Sequence, residues 1–149
     1  MCYNTVRTGG GCLSLRLRSA LSAREASMLN GLQLAYLGDA VWETVIRTEM
    51  VQRGLNVHHM HNACVGFANA HDQARFLQSI HSLLNADEME IVRRGRNAHA
   101  RHPAPKNQNP EDYSASTGFE ALIGYLYITG NDSRIAQLAE MIIGGSTDG

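Results

Sequence analysis

Residues 29–43 have the sequence LNGLQLAYLGDAVWE. From this stretch onward, apolar side chains recur at the three- and four-residue spacing of one helix face: Leu34, Leu37, Val41 and Val45. This period predicts a helix from Leu32 to about Arg53, because an amphipathic helix buries one such face. Gly54 follows directly, and glycine is typical of the position just after a helix ends.

Helical spacing also dominates the rest of the chain, where strand signals are scarce. Further helices are predicted from Ser22 toward Leu29, from about Val57 to Leu84 with a break near Ala68, from Asn85 to about Arg96, from about Ser114 to Ile128, and from Asp132 or Ser133 through Ile142. Two of these starts have capping-box spacing, Ser22 with Glu25 and Asn85 with Glu88. Residues 97–112 contain all three prolines and are predicted to form a loop. The pattern therefore predicts an all-α fold of about five to seven helices.

The length of 149 residues predicts one domain, which we place at residues 22–143. Residues 1–21 contain arginines, serines and glycines but no acidic residue, a composition shared by organelle transit peptides and by disordered chain ends. We expect them to form a poorly ordered extension, and we expect residues 144–149 to form a flexible tail.

The bulk composition excludes several classes of protein. A hydrophobic fraction of 44% is too high for a disordered chain. No apolar run approaches the roughly 18 residues that span a membrane. The three cysteines form no CxxC pair, which argues against a disulfide framework or a zinc site and favours the reducing cytoplasm. The net charge of −1 gives no sign of a nucleic-acid partner.

Two carboxylates lie inside apolar segments: Asp39, and Glu120 in GFEALIGYL at residues 118–126. An ionised carboxylate in an apolar core costs much free energy unless a cation, a metal ion or hydrogen-bond donors compensate its charge. Either acid could instead face solvent or pair with an arginine. Small residues stand beside both acids, which favours a close helix crossing that brings the carboxylates together: Gly38, Ala40, Gly118 and Ala121. Two clustered carboxylates suit Mg²⁺, which binds oxygen ligands and phosphate.

Other segments accompany residues 29–43 along the chain: QA at 73–74, RRGRNA at 93–98, PKN at 105–107 and STGFEALIGYL at 116–126. Together they resemble the ribonuclease III family, in the form found in its Mini-ribonuclease III branch. The resemblance covers about residues 29–143. It implies an all-α catalytic domain without the separate double-stranded-RNA-binding domain of larger relatives.

The resemblance also implies a function. It implies a Mg²⁺-dependent endoribonuclease, with Mn²⁺ as a substitute, that cleaves double-stranded RNA as a homodimer and leaves 5′-phosphates. The resemblance to the Mini branch implies an enzyme that trims the ends of precursor 23S (large-subunit) ribosomal RNA in bacteria. A ribosomal protein bound to that substrate is therefore an expected partner, and no membrane partner is expected.

The resemblance assigns roles to individual acids. Asp39 matches the catalytic Asp of the family's LGDA segment, and Glu120 matches the metal-binding Glu of its FEA segment. Larger relatives have two further acids at the positions of Ala35 and Thr117. The replacement of both acids resembles the Mini branch. The resemblance therefore implies one Mg²⁺, held directly by Glu120 and partly through water by Asp39. Glu43, one helical turn past Asp39, either supplements this site or forms a surface or dimer ion pair.

Basic residues cluster at the C-terminal end of the helix predicted from Asn85 to about Arg96 and in the loop after it. Five occur from residue 93 to residue 106 without an acid, and with one asparagine they are the candidate RNA-binding residues: Arg93, Arg94, Arg96, Asn97, Arg101 and Lys106. Double-stranded RNA is bound largely through phosphates and 2′-hydroxyls, which suits such side chains. The alternative is a solvated helix end, where arginine is favoured by the helix dipole. The preceding acids, Asp87, Glu88 and Glu90, are expected to point away from the RNA.

Two other functions are compatible with an all-α chain. His71 and Asp72 form the HD pair of HD-type metal phosphohydrolases, which need further ligands such as His58, His59, His61 or Asp112. A non-catalytic factor that binds double-stranded RNA or assists ribosome assembly could share the ribonuclease fold. The presence of both Asp39 and Glu120 argues against this last alternative, because a protein that only binds RNA has no need to bury two acids.

Overall fold

The computed structural model describes residues 15–98 and 104–145, and within these ranges it contains helices but no strand. The helices are α1 (Ala23–Ser27), α2 (Gly31–Gln52), α3 (Val57–Ala68), α4 (Ala70–Ile80), a 3₁₀ turn (His81–Leu83), α5 (Ala86–Asn97), α6 (Pro110–Ile128) and α7 (Asp132–Gly145). The predicted all-α fold is confirmed. None of the helices in the described part of the chain is long and apolar enough to cross a membrane.

Asparagine side chains begin most of these helices by accepting a backbone N–H bond from the first turn. The predicted capping boxes of α1 and α5 are present. A third box was missed: Asn30 and Gln33 cap each other's backbone, so α2 begins at Gly31 rather than Leu32. Asn69 accepts from the backbone of Asp72 and begins α4, which places the predicted break immediately after Ala68.

The predicted loop at residues 97–112 is too long at its C-terminal end. Helix α6 begins at Pro110, where the side chain of Asn109 accepts from the backbone N–H groups of Glu111 and Asp112. Proline fits the first position of a helix because its missing N–H would have no partner there and its φ angle is already helical. The prolines were interpreted as loop signals, but this one begins the helix.

The described part of the N-terminal segment packs against the helical body. Arg16 Nε donates to the carbonyl of Tyr127 at 2.9 Å, and its guanidinium lies 4.0 Å from the centre of the Tyr127 ring. The N–H of Leu21 donates to the carbonyl of Ile128 at 2.9 Å. Poor order was expected up to residue 21; within this segment Arg16 and Leu21 contact the C-terminal end of α6. At the other end of the chain, Gly144 and Gly145 belong to α7.

Helix α6 is the centre of the fold, and α2 crosses it with the two backbones in direct contact. A Cβ atom on Gly38 would lie 1.7 Å from the carbonyl oxygen of Glu120, and one on Gly124 would lie 2.0 Å from the carbonyl oxygen of Leu34. Only glycine fits at either position. Two of the small residues predicted at this crossing, Gly118 and Ala121, face Gly95 of α5 instead. The partner of Gly38 is Gly124.

Aromatic side chains fill the space beside this crossing. The rings of Trp42 and Phe119 are 5.0 Å apart and nearly perpendicular, and Phe76 of α4 packs against both. The indole nitrogen of Trp42 donates to the carbonyl of Phe67 at 2.8 Å, so this buried ring leaves no polar atom without a partner. The cluster holds α2, α3, α4 and α6 together, and one of its rings, Phe119, directly precedes Glu120.

Candidate active site

The glycine crossing brings Asp39 of α2 and Glu120 of α6 into electrostatic contact. Glu120 is half-buried. Burial and then the charge of Asp39 raise the pKa of the Glu120 carboxyl from 4.5 to about 7. Asp39 itself is exposed, so it is not the core residue that the apolar sequence around it suggested. The two acids still influence each other because backbone contact at Gly38 leaves no side chain between their helices.

Glu43 completes the acidic surface on α2. The pKa of Asp39 is raised, first by loss of hydration and then by the charge of Glu43. Glu43 also accepts from Arg47 at 2.7 Å, one turn further along the helix. Both roles considered for Glu43 are therefore compatible with its position, since it forms a surface ion pair and acts on Asp39.

Gln73 of α4 is close enough to Glu120 to act on its carboxyl. The side chain is only 1% exposed, and its Nε2 has no partner at hydrogen-bond geometry. Its amide nevertheless acts on Glu120 and lowers the pKa of that carboxyl, against the larger effects of burial and Asp39. A buried amide without a partner costs about 1–3 kcal/mol. The sequence showed Gln73 only as part of a segment shared with the family, and its position at the site was missed.

The residues around the two acids fit a magnesium ion. Neighbouring carboxylates with raised pKa values are stabilised by a divalent cation, which removes both the repulsion and part of the burial cost. Ala35 and Thr117 are buried and provide no carboxylate, and Thr117 Oγ1 donates to the carbonyl of Tyr113 at 3.0 Å. No three His, Cys, Asp or Glu side chains come together as a metal cage in residues 15–98 and 104–145. The fit therefore rests on the carboxylate oxygens of the two acids, the kind of ligand that Mg²⁺ takes.

Three of the candidate RNA-binding residues lie around a shallow cavity of about 430 Å³ at the N-terminus of α2. Arg93, Arg94 and Asn97 line it together with Asn30 and Gly31. The cavity is about 12 Å along α2 from Asp39, at 1.5 Å per residue. The structure therefore places part of the basic region of α5 beside the N-terminus of α2, the helix that carries Asp39.

The candidate basic residues differ in what they already contact. Arg93 donates to both oxygens of Glu90, at 2.7 and 2.8 Å, whereas Arg94 donates to the carbonyl of Leu29. Arg96 and Lys106 are exposed, as is Asn97. Arg101 lies outside the described residues.

Comparison with known proteins shows the family of this chain. The Ribonuclease III domain family matches residues 32–131, which include both acids. The chain belongs to the ribonuclease III family. A protein named Mini-ribonuclease 3 from Symbiobacterium thermophilum is 43% identical over 110 residues, 73% of this chain and 84% of that protein. Another Mini-ribonuclease 3, from Clostridium tetani, is 35% identical over 85% of each chain. The X-ray crystal structure of a Fusobacterium nucleatum protein has a TM-score of 0.71 at 29% identity, over 78% of this chain and 93% of that one.

Membership of the ribonuclease III family identifies the chain as an endoribonuclease and confirms the resemblance deduced from its motifs. The HD-type alternative gains no support. Asp72 bonds to Asn69 and faces Arg75 rather than a metal cluster. His71 does meet Asp112, with 2.9 Å between Nδ1 and Oδ2, but this pair only links α4 to the first turn of α6.

One acid near the basic region of this ribonuclease III chain has a structural partner. Glu88, which was expected to point away from the RNA, is 3% exposed. Arg134 of α7 donates to both of its carboxylate oxygens, at 2.8 and 2.9 Å. Glu88 therefore fixes α7 to α5. No sequence signal marks this contact, because the partners are 46 residues apart.

Proposed function

We propose that this chain is a Mg²⁺-dependent endonuclease that cuts double-stranded RNA, with Asp39 and Glu120 as its catalytic acids. The observation that carries the proposal is the glycine crossing, which holds these two carboxylates within electrostatic reach of each other. Family membership supports double-stranded RNA as the class of substrate.

Glu120 is the direct ligand in this proposal, and Asp39 holds the ion partly through water, with Glu43 near enough to Asp39 to assist. The ion, Mg²⁺ or Mn²⁺, would lower the pKa of a bound water and stabilise charge on the phosphate. In the hydrolysis a water oxygen bonds to phosphorus, the bond to the 3′-oxygen breaks, and that oxygen takes up a proton. One product therefore keeps a 5′-phosphate. Burial around Glu120 keeps bulk water away from its carboxylate, which strengthens its interaction with a cation.

The basic residues at the end of α5 and after it, with Asn97, are the proposed contacts to the RNA backbone. Arg93, Arg94 and Asn97 surround the cavity beside α2, and Arg96 and Lys106 are exposed. Arg101 belongs to the same segment of sequence. Guanidinium and ammonium groups bind phosphates without reading bases, so we expect affinity that falls steeply with salt and shows little sequence preference from these residues.

A homodimer is the proposed active form, and the apolar groove between α2 and α7 is its proposed interface. The groove has a volume of about 750 Å³ and is lined by Leu37, Val41 and Val45 from α2 and by apolar residues of α7. Tyr36, on the same helix, is 88% exposed. Pairing of two copies through this groove would remove these apolar side chains from water. Paired about a two-fold axis, two copies would bring two acid pairs to one duplex, one for each strand.

The proposed natural substrate is precursor 23S ribosomal RNA in the cytoplasm, with a ribosomal protein bound to it as a further partner. Its support is the similarity to bacterial proteins named Mini-ribonuclease 3. A chain whose basic residues form only a small surface binds duplex weakly, so a substrate already structured by another protein suits it.

One assay tests the function. The protein is incubated with a long RNA duplex, single-stranded RNA and duplex DNA, first with Mg²⁺ and then with EDTA. We expect cleavage of the RNA duplex alone, only with Mg²⁺, and products with 5′-phosphates. Cleavage in EDTA would contradict the metal requirement. Binding of the duplex without any cleavage would instead favour the non-catalytic RNA-binding factor.

A further inference from the structure

Beside the two acids, Gln73 is the one side chain in the described part of the chain whose burial is explained neither by packing nor by hydrogen bonding. It is 1% exposed, and its Nε2 has no hydrogen-bond partner. Most buried amides are fully bonded, so a buried donor without a partner calls for an explanation at that site. Leucine has nearly the same size and would fill this space without burying two N–H groups.

The position of Gln73 is fixed on both sides by contacts between α4 and α6. Two residues earlier, His71 Nδ1 lies 2.9 Å from Asp112 Oδ2. Three residues later, the ring of Phe76 packs 6.2 Å from that of Phe119, the residue just before Glu120. The amide is therefore held at a set height along α6, and it acts on the Glu120 carboxylate. Neither helix can move past the other without breaking one of these contacts.

We propose that Gln73 is a positioning residue for the reaction: its Nε2 donates to one oxygen of Glu120 and leaves the other oxygen facing Asp39. This inference rests on the proposed function. A carboxylate has two equivalent oxygens and turns about its last bond, so a fixed donor on one side decides which oxygen meets a cation. A donor is required here, because a third carboxylate at this place would compete for the ion rather than orient its ligand.

Because Gln73 lies on α4 and Glu120 on α6, a bond between their side chains links the orientation of the proposed metal ligand to the packing of α4. Residues that orient a metal ligand in this way alter metal affinity or activity about 10- to 100-fold when they are replaced.

Gln73→Leu tests the proposal, with Gln78→Leu as its matched control, since Gln78 is an exposed glutamine on the same helix. We expect Gln73→Leu to bind an RNA duplex in EDTA within twofold of the wild type and to keep or raise the Tm, because a buried unbonded amide is removed. Its single-turnover cleavage rate should fall about 10- to 100-fold. Mn²⁺ binding to the RNA-free protein, measured by titration calorimetry, should weaken about tenfold. The control should change none of these values.

A purely structural Gln73 would change the Tm without changing cleavage or Mn²⁺ binding. The proposal is overturned if Gln73→Leu cleaves and binds Mn²⁺ within twofold of the wild type. If that variant does not fold, Gln73→Met removes the same donor from an unbranched side chain and decides the question by the same measurements. If the wild type cuts no duplex RNA, the proposed function fails, and the Mn²⁺ titration alone decides the role of Gln73.

Discussion

The fold shields both Glu88 and Glu120 from water, but their surroundings shift the pKa values of the two carboxyls in opposite directions. Burial alone would raise the pKa of Glu88, but hydrogen bonds from Arg134 and from the backbone of Asn85 outweigh it, and the pKa is lowered. Around Glu120, burial and the charge of Asp39 act in the same direction, and its pKa is raised to about 7. In the described part of the chain no arginine or lysine forms a salt bridge with Glu120.

The difference separates a structural acid from a functional one. Glu88 receives its cation from the chain itself, so the pair is complete and joins two helices. Glu120 and Asp39 are brought together with like charges and no such partner, which is unfavourable for the protein alone and favourable for binding an external cation. The repulsion between the two acids at the helix crossing therefore lowers the stability of the fold, whereas the ion pair between α5 and α7 raises it.

The largest expected effect is on cleavage, when the functional acids lose their charge. Asp39→Asn and Glu120→Gln keep the size of each side chain but remove a metal ligand, so we expect the cleavage rate to fall by at least about 10²–10³-fold. Binding of duplex RNA in EDTA should remain close to that of the wild type. Cleavage by Asp39→Asn with Mg²⁺ at near wild-type rate would refute the site.

The structural acid should respond in stability rather than in catalytic chemistry. Arg134→Leu removes the cation from a carboxylate that is 3% exposed, so we expect a loss of about 3–5 kcal/mol in the free energy of unfolding. Urea denaturation monitored by circular dichroism measures it. Arg47→Leu is the control, because its ion pair with Glu43 is at the surface and is worth less than about 1 kcal/mol. Equal losses in the two variants would remove the distinction between buried and surface pairs.

Glu120→Gln should make the metal-free protein more stable, in a pH-dependent way. The folded-state pKa of about 7 lies above the ordinary value of 4.5. The wild type therefore has its full stability below pH 4.5 and loses up to about 3 kcal/mol as the pH rises through 7. The variant has no such loss. We expect similar stabilities of variant and wild type near pH 4, and a more stable variant near pH 8.

Glu111→Gln on the exposed first turn of the same helix is the control for this comparison. Urea denaturation in EDTA at both pH values measures all three proteins. A variant that gains no stability at the higher pH would show that Glu120 is not a strained acid.

The smallest effects are expected among the surface arginines, where the same contrast between paired and unpaired charge applies. Glu90 already neutralises Arg93, whereas Arg96 forms no salt bridge within residues 15–98 and 104–145. We therefore expect Arg96→Gln to reduce the slope of log Kd against log salt by about one unit, and Arg93→Gln to reduce it less. Filter binding of duplex RNA at several salt concentrations in EDTA measures both slopes. Identical slopes for both variants would contradict a role for pre-existing pairing.

Local signals in the sequence predicted most of the fold. Capping residues and apolar periodicity lie within one helical turn of the feature they mark, so the starts of α1 and α5 and the break before α4 could be found. The start of α6 at Pro110 is also marked locally, because a proline begins a helix where a capping residue precedes it, as Asn109 does here. The start of α2 is marked in the same way by Asn30 and Gln33.

The candidate site was predictable only in part. Asp39 and Glu120 stood out because a carboxylate in an apolar segment is unusual whatever the fold. Their exposures were not predictable, since these depend on where neighbouring helices pass. Gln73 and the pairing of Glu88 with Arg134 depend on contacts between distant segments, and nothing near them in the sequence indicates those contacts. Similarly, small residues on α6 were recognised, but only the packing shows that Gly124, rather than Gly118, meets Gly38.

The glycine crossing has a consequence for how this enzyme can vary. The distance between the two helices that carry its acids is set by one main chain lying on another, so no side-chain rotamer can change that distance. A single added methyl group at position 38 or 124 would push the helices apart. In a library of all single variants scored for cleavage, substitutions of these two glycines should therefore lower activity as often as substitutions of the two acids. Neither glycine has a side chain that could touch RNA. Loss of activity at such positions reflects a wrong distance rather than a missing chemical group.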